Sequence, residues 1–236
     1  AENAQVWYRR AMAPDALPAQ TPFIPTNATP PKRARGRPRK SVDARDDGNR
    51  RQALLAAAAH LFRRQGFAAT TTRDIAAAAD MQSGSPFYHF KSKEALLYAV
   101  MEEGMRSALA RQGVAAQVLG YAQLPAPHRL RMLVDAHFEV LLGPGNDFVP
   151  VMLYESRSLP LRQRKALGQL IAEYEALWLP VLTDLHAQGQ LRAPVRMARL
   201  LILGALNWSV QWFDPNKGAS LHELTDAAMA LFLKEF

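Results

Sequence analysis

The sequence of 236 residues contains no cysteine, which excludes disulfides, thiolate metal sites and cysteine nucleophiles together. No apolar run approaches the roughly 18 to 20 residues that a membrane-spanning helix needs. The longest run, at 200–206, lies between Arg199 and Asn207. The N-terminus has no cationic start followed by an apolar stretch, which predicts that no secretion signal is present. These absences favour a protein of the reducing cytoplasm.

Strand patterns and catalytic motifs are also missing. No stretch alternates with a period of two in β-branched residues, so we expect an all-α fold of about nine helices. None of the six histidines forms a pair at the HExxH spacing of a zinc site. A P-loop, a nucleophile elbow and a Gly-rich dinucleotide loop are absent as well. The sequence therefore predicts no enzyme activity, no metal and no cofactor.

Charge is distributed unevenly along the chain. Residues 30–93 carry fourteen Lys and Arg against five Asp and Glu, whereas residues 94–236 carry thirteen against fourteen. A basic N-terminal portion joined to a near-neutral body indicates that one part meets a polyanion and the other has a separate task.

Composition divides the chain into three parts. Residues 1–45 contain seven prolines and many Ala and Thr, which predicts a disordered extension. Residues 46–108 show the spacing of three short helices and the start of a fourth, the pattern of a helix-turn-helix domain. Residues 109–236 are predicted to form a larger helical domain.

Local signals mark where the helices begin and end. Gly66 stands where a left-handed C-cap is wanted after the first helix. Thr71 and Asp74 have the spacing of a capping box that opens the second helix, and Ser92 is placed to cap the fourth. Pro180 is expected to kink or divide a long helix over 161–188.

The segment SGSPFYHF (83–90) is too short and too aromatic to build a core by itself. In a helix-turn-helix arrangement the second helix braces a short third element whose exposed side chains enter the major groove. We expect the small residues to allow close approach to DNA, Tyr88 and His89 to donate to it, and the next lysines to contact phosphates. The predicted DNA contacts are Thr71, Thr72, Arg73, Ser83, Gly84, Ser85, Phe87, Tyr88, His89, Lys91 and Lys93.

Three ordered motifs between Asn49 and Gly104 carry a family resemblance: LFRRQGFAATTTRDIAAAAD, a GxxxYHF ending and KSKEALLYAV. They resemble the DNA-binding domain of tetracycline-repressor-type (TetR family) regulators. The resemblance implies an all-helical homodimer that joins this domain to a variable ligand-binding and dimerisation domain, here 109–236. Where the family commonly has Leu-Tyr, this chain has Pro86 and Phe87, so Tyr88 is expected to take over a phosphate contact.

A basic arm, KRARGRPRKS (32–41), lies just upstream. Its Arg35-Gly36-Arg37-Pro38 core resembles an AT-hook, whose flat, extended Arg-Gly-Arg lies in a narrow A·T minor groove. We therefore add Arg35 and Arg37 to the predicted DNA contacts. A nonspecific basic tail that acts through counterion release is the alternative interpretation.

The last two predicted helices, 194–213 and 220–235, carry more apolar surface than one buried face needs. This surplus fits a four-helix bundle formed with a second copy, which is also what the family resemblance implies. The residues predicted to form the dimer interface are Leu200, Leu203, Trp208, Trp212, Leu224, Ala228 and Leu231.

The helices predicted at 126–142, 148–157 and 161–188 are expected to enclose a ligand pocket. Its predicted polar lining comprises His137, Tyr154, Arg157, Tyr174, Trp178, Asn207 and Gln211. The segment LNWSVQWFDPNKGASLHELTD (206–226) resembles family members that sense acyl thioesters or fatty acids. The predicted effector is accordingly a small molecule that is apolar or an acyl thioester.

These features predict a sequence-specific transcriptional regulator that binds a palindromic operator as a homodimer. Of the two modes of regulation, repression is the one predicted. Effector binding is expected to change the spacing of the two recognition helices through the fourth helix, 92–112. The alternative is an architectural DNA-binding protein that uses the basic arm and has no effector. Ligand-dependent release from DNA separates the two hypotheses.

Overall fold

The structure is a computed structural model that describes residues 43–81 and 86–234, with side chains described over 48–81 and 88–234. Both ranges are helical and contain no β-strand. One isolated antiparallel bridge joins Leu191 to Leu233 near the end of the chain. The predicted all-α class is confirmed.

The first three helices are α1 (Asp43–Ala69), α2 (Thr72–Ala78) and α3 (Pro86–His89). Gly66 interrupts α1 with φ 82° and ψ 160°, a conformation that glycine adopts without the clash a Cβ would cause. The predicted capping box is present: Thr71 Oγ1 accepts from the Asp74 amide at 3.1 Å, and Asp74 Oδ2 accepts from the Thr71 amide at 2.9 Å. The chain therefore turns at Gly66 and restarts as a helix at Thr72.

Seven further helices form the rest of the described chain: α4 (Lys93–Ala116), α5 (Ala126–Leu142), α6 (Phe148–Glu155), α7 (Leu161–Ala176), α8 (Leu179–Ala187), α9 (Val195–Trp208) and α10 (Leu221–Phe232). Ser92 caps α4 by accepting from the Ala95 amide at 3.1 Å, as expected. The long helix predicted over 161–188 is divided into α7 and α8, and Pro180 lies in the first turn of α8, where its missing N–H leaves no hydrogen bond unmade.

Helix α4 joins the N-terminal helices to the body. Its N-terminal half buries Leu96, Leu97 and Val100, and its C-terminal half buries Met105 and Ala108. The domain boundary predicted at 108/109 falls inside this helix. One rigid element therefore belongs to both predicted domains, so a movement of α4 in the body is also a movement beside α1.

Candidate nucleic-acid interface and effector cavity

Three predicted DNA contacts, Thr71, Thr72 and Arg73, lie at the start of α2 and differ in exposure and in hydrogen bonding. Asp74 Oδ2 accepts from the Thr71 hydroxyl at 2.7 Å, and this bond, followed by the bond from the Thr71 amide, lowers the pKa of Asp74. The Thr71 hydroxyl is thus engaged in the cap. Thr72 is half-buried, while Arg73 is exposed. Of these three residues, Arg73 is the one that is exposed and takes no part in the hydrogen bonds of the cap.

Tyr88 is 80% exposed at the end of α3. Its ring lies edge-on to His89, with ring centroids 5.2 Å apart. Phe90 is buried directly after them, and the Arg51 guanidinium lies over its ring at 5.3 Å. Phe90 therefore anchors the segment in the core while the Tyr88 side chain faces outward, and Lys91 is exposed beside it.

Lys93 has an intramolecular role that the sequence did not reveal. Its ammonium donates to the carbonyl oxygens of Phe67 and Thr70, both at 2.9 Å, and lies 4.3 Å from the centroid of the Phe67 ring. These carbonyls follow the break at Gly66. Lys93 thus ties the start of α4 to the corner between α1 and α2, and two of its three protons are already used.

Several predicted contacts lie outside the described residues. These are Arg35 and Arg37 of the basic arm and Ser83, Gly84 and Ser85 before α3; the side chain of Phe87 is also not described. The DNA contacts of all these residues, and those of the placed residues above, remain predictions.

A cavity of about 70 Å³ lies inside the body between α4, α5, α6, α7 and α9. Its wall is mostly aliphatic, with three of the predicted polar residues, His137, Tyr174 and Asn207, and with Glu175. The apolar lining comprises Met105, Ala108, Val140, Leu141, Val149, Met152, Ile171 and Leu203. Such a cavity suits an apolar molecule held in place by a few polar groups.

Two polar residues of the wall, His137 and Tyr174, form a buried hydrogen-bond network with Gln112 of α4. The Tyr174 hydroxyl lies 2.9 Å from Gln112 Nε2 and 2.7 Å from His137 Nδ1. Burial lowers the pKa of His137 to about 4, and the neighbouring Asn207 side chain opposes that shift only in part. Burial likewise raises the pKa of Tyr174. Both groups are therefore uncharged at neutral pH.

The other predicted pocket residues do not line this cavity. Trp178 is buried behind it, with its ring centroid 5.9 Å from that of His137 and 6.4 Å from that of Tyr174. Tyr154 and Gln211 are exposed and hydrogen-bond to each other instead. Arg157 is exposed on the short 3₁₀ turn after α6. The predicted lining is thus corrected at these four positions, because helix periodicity does not say which polar side faces inward.

Helix α6 contacts both the cavity and α1. Its residues Val149 and Met152 belong to the cavity wall. Just before its start, Asp147 Oδ1 lies 2.7 Å from Arg63 Nη1, and Asp147 Oδ2 lies 3.2 Å from His60 Nδ1. At its end, Glu155 Oε1 accepts from the Phe67 amide at 2.9 Å. Sequence reasoning missed this link, because the contacts join residues more than 80 positions apart.

Exposed apolar side chains occur on α9, just after the 3₁₀ turn that follows it, and on α10, and they are here called the dimer face. Of the predicted interface residues, Leu200, Trp208, Trp212 and Leu231 are exposed, and Met197 and Leu201 join them. Leu203 is instead buried and lines the cavity, while Leu224 and Ala228 pack partly against the protomer's own core. Leu203 is a correction, because its side of α9 faces inward. Leu224 and Ala228 stay predictions, because each is only partly buried.

Large exposed apolar side chains, two of them tryptophans, are typical of surfaces that bind a partner. The exposed residues Leu201 and Trp208 and the cavity residues Leu203 and Asn207 lie on different sides of the same helix, α9. Among the described residues no helix is both long and apolar enough to cross a membrane.

Comparisons with known proteins agree with this arrangement. Residues 54–100 match the family "Bacterial regulatory proteins, tetR family", and residues 123–236 match "Tetracyclin repressor-like, C-terminal domain". The HTH-type transcriptional repressor KstR2 of Mycolicibacterium smegmatis is 29% identical over 190 residues, which cover 78% of this chain and 89% of that protein.

Solved structures give the same result. The TetR family transcriptional regulator PfmR from Thermus thermophilus is similar with a TM-score of 0.66 at 28% identity, covering 78% of this chain and 98% of its own. The ketosteroid transcriptional regulator KstR2 of Mycobacterium tuberculosis has a TM-score of 0.67 at 25% identity, covering 79% and 96%.

The fold and the two sites define a ligand-responsive helix-turn-helix regulator, and the chain belongs to the TetR family. Its matches to HTH-type transcriptional repressors make it a DNA-binding transcriptional regulator of the repressor kind. The architectural alternative is not favoured, because the family match covers a C-terminal regulatory domain as well as the DNA-binding domain.

Proposed function

We propose that the effector is an apolar small molecule or the acyl part of a thioester, and that its entry releases the dimer from a palindromic operator. One observation carries this proposal: α6 lines the cavity and also contacts α1 of the DNA-binding domain. Val149 and Met152 stand in the cavity wall, and the residues at the two ends of the helix, Asp147 and Glu155, hold α1.

The size of the cavity explains why binding should move α6. A ligand pocket for a drug-sized molecule measures roughly 300 to 1,000 Å³, far more than the 70 Å³ present here. An effector therefore binds an enlarged form of the body and shifts the population toward it. The walls that must yield include α4 and α6, and both contact the DNA-binding helices.

The dimer turns this local movement into release. Two recognition helices must lie about 34 Å apart to enter successive major grooves on one side of the duplex. A tilt of α4 or α6 in each protomer changes that spacing. We propose that the effector-bound spacing no longer fits the operator.

Selection of bound sequences from random duplex DNA tests operator recognition first. We expect a palindrome, and fluorescence anisotropy on that palindrome then measures release by short acyl-CoA thioesters, free fatty acids and ketones. Failure to enrich any sequence contradicts specific recognition. Enrichment without release by any of these compounds contradicts the proposed effector class.

The Asp147→Asn variant tests the coupling route. It weakens the contacts with Arg63 and His60 without touching the cavity, and partly exposed pairs of this kind contribute up to about 1 kcal/mol, or about fivefold in the effector concentration needed for release. Asp184→Asn is the matched control, because it breaks the pair with Arg129 (2.6 Å) between α5 and α8, away from α1. Equal release curves for the two variants contradict coupling through α6.

We also propose that Arg35 and Arg37 extend the footprint into A·T-rich flanks. Full-length protein with both arginines replaced by alanine is expected to select the same palindrome without these flanks. Loss of affinity that is equal on all flanking sequences supports a nonspecific basic tail instead.

We further propose that the protein acts in the cytoplasm, where a bacterial operator is located, and without catalytic activity. Mass spectrometry of an effector recovered after incubation is expected to find it chemically unchanged.

A further inference from the structure

A backbone carbonyl fixes the direction of the buried hydrogen-bond chain beside the cavity. Gln112 Nε2 lies 2.9 Å from the Leu133 carbonyl oxygen and 2.9 Å from the Tyr174 hydroxyl. A carbonyl oxygen only accepts, so the amide nitrogen of Gln112 must face it. That nitrogen donates one proton to Leu133 and the other to Tyr174. The Tyr174 oxygen therefore accepts, and its own single proton is left to donate.

The proton of Tyr174 goes to His137. The hydroxyl lies 2.7 Å from His137 Nδ1, deep inside the body. A neutral imidazole that accepts at Nδ1 carries its proton on Nε2. Burial keeps the ring neutral, because it lowers the pKa of His137 to about 4. Helices α4, α5 and α7 together thus set the tautomer of one side chain.

The Nε2 donor that results forms no well-aligned hydrogen bond, although the Asn207 side chain lies close enough to the ring to raise the pKa of His137. His137 is 5% exposed, and its Nε2 makes no hydrogen bond to any residue that the structure describes. Within those same residues, other side chains also have a buried unpaired polar atom, but His137 is the one that lines the cavity. A buried N–H without an acceptor is costly, so a ligand atom that accepts from it gains affinity.

We propose that the effector is an uncharged apolar molecule with a carbonyl oxygen, such as a ketone, an ester or a thioester, and that this oxygen accepts from His137 Nε2. The inference rests on the proposed function, because it specifies the chemistry recognised in the same cavity. Asn207, beside His137 in the wall, is a second hydrogen-bonding group within the same part of the cavity.

Charged ligands fit the wall poorly. The charged residue that lines the cavity is Glu175, which already pairs with Arg199. A carboxylate would lose its hydration next to another carboxylate, and an ammonium group would place a donor against the His137 donor. A hydrocarbon fills the space but leaves Nε2 unpaired. A carbonyl compound satisfies the donor and the aliphatic wall together.

The tautomer is tested first, on the full-length protein with ¹⁵N-labelled histidine at pH 7. We expect the His137 ring to show a protonated Nε2 and a bare Nδ1, its signals being identified by their loss in His137→Gln. Tyr174→Phe removes the proton donor, and the ring is then expected to populate both tautomers. A protonated Nδ1 in the unaltered protein overturns the proposal.

Probe binding is tested next, with 2-pentanone, its methylene isostere 2-methyl-1-pentene, and butanoate. These differ in one group, so we expect the ketone to bind about tenfold more tightly than the alkene, and butanoate not to bind. The preference should persist in His137→Gln, which keeps an N–H donor near Nε2, and disappear in His137→Leu. Equal binding of ketone and alkene, preference for butanoate, or binding of none of the three overturns the proposal.

Operator release is measured separately, so the two proposals fail in different ways. A ketone that binds through His137 but does not release operator contradicts the proposed function and leaves the carbonyl site standing. Operator binding and effector release that are unaffected by the His137→Leu substitution contradict the carbonyl site and leave the repressor mechanism standing.

Discussion

Mild acid should destabilise the folded protein through His137. The folded pKa is about 4, lowered from 6.5 mainly by burial. The unfolded chain therefore takes up a proton on His137 at a higher pH than the folded chain does, so this contribution to stability is complete above 6.5 and is lost as pH falls toward 4. Between pH 7 and pH 5 the loss amounts to about 2 kcal/mol of unfolding free energy.

Urea unfolding at a fixed protein concentration measures this loss, with His137→Gln as the variant that cannot titrate. Asp74 and Glu223, whose pKa values are lowered by hydrogen bonds from their N-cap residues, titrate in both proteins and cancel in the comparison. The stability of the unaltered protein relative to the variant should fall by about 2 kcal/mol from pH 7 to pH 5. Parallel curves over this range would refute the burial of a neutral His137.

Three further predictions concern the surfaces. Tyr88→Phe should leave unfolding unchanged, because the side chain is 80% exposed, yet weaken operator binding about tenfold in anisotropy by removing a donor to phosphate; unchanged affinity would exclude that hydroxyl from the interface. Leu201→Glu should yield monomers in sedimentation, whereas Leu119→Glu, on the turn after α4, should remain dimeric; a dimeric Leu201→Glu protein would place the interface elsewhere. Lys93→Met should lower the unfolding free energy by about 2 kcal/mol in urea by removing two hydrogen bonds, and the exposed Lys91→Met should not; equal stabilities would show that the ammonium does not tie α4 to the corner.

Features governed by neighbours in the chain could be predicted from the sequence. The glycine turn at Gly66, the Thr71 capping box and the Ser92 cap involve groups within three or four positions of each other. The division near Pro180 follows from one missing N–H. The order of the motifs between Asn49 and Gly104 likewise pointed to the TetR family before any packing was known.

Predictions that depended on which side of a helix faces the protein core were less accurate. Tyr154 and Gln211 were expected in the pocket but pair on the surface. Leu203 was expected at the dimer face but lines the cavity. Both outcomes have the same reason: the helix period shows that two sides differ, but not which side meets the protomer's own core.

By itself, the sequence determined the helical class, the capped starts of two helices and the DNA-binding family, because these depend on local hydrogen bonding and on ordered motifs. Only the tertiary structure decided which ligand chemistry the cavity can recognise and which contacts link the cavity to α1. The His137 tautomer depends on Gln112 and Tyr174, and the link to α1 depends on Asp147 meeting Arg63. Each of these contacts joins helices that are distant in the chain, so no local pattern encodes them.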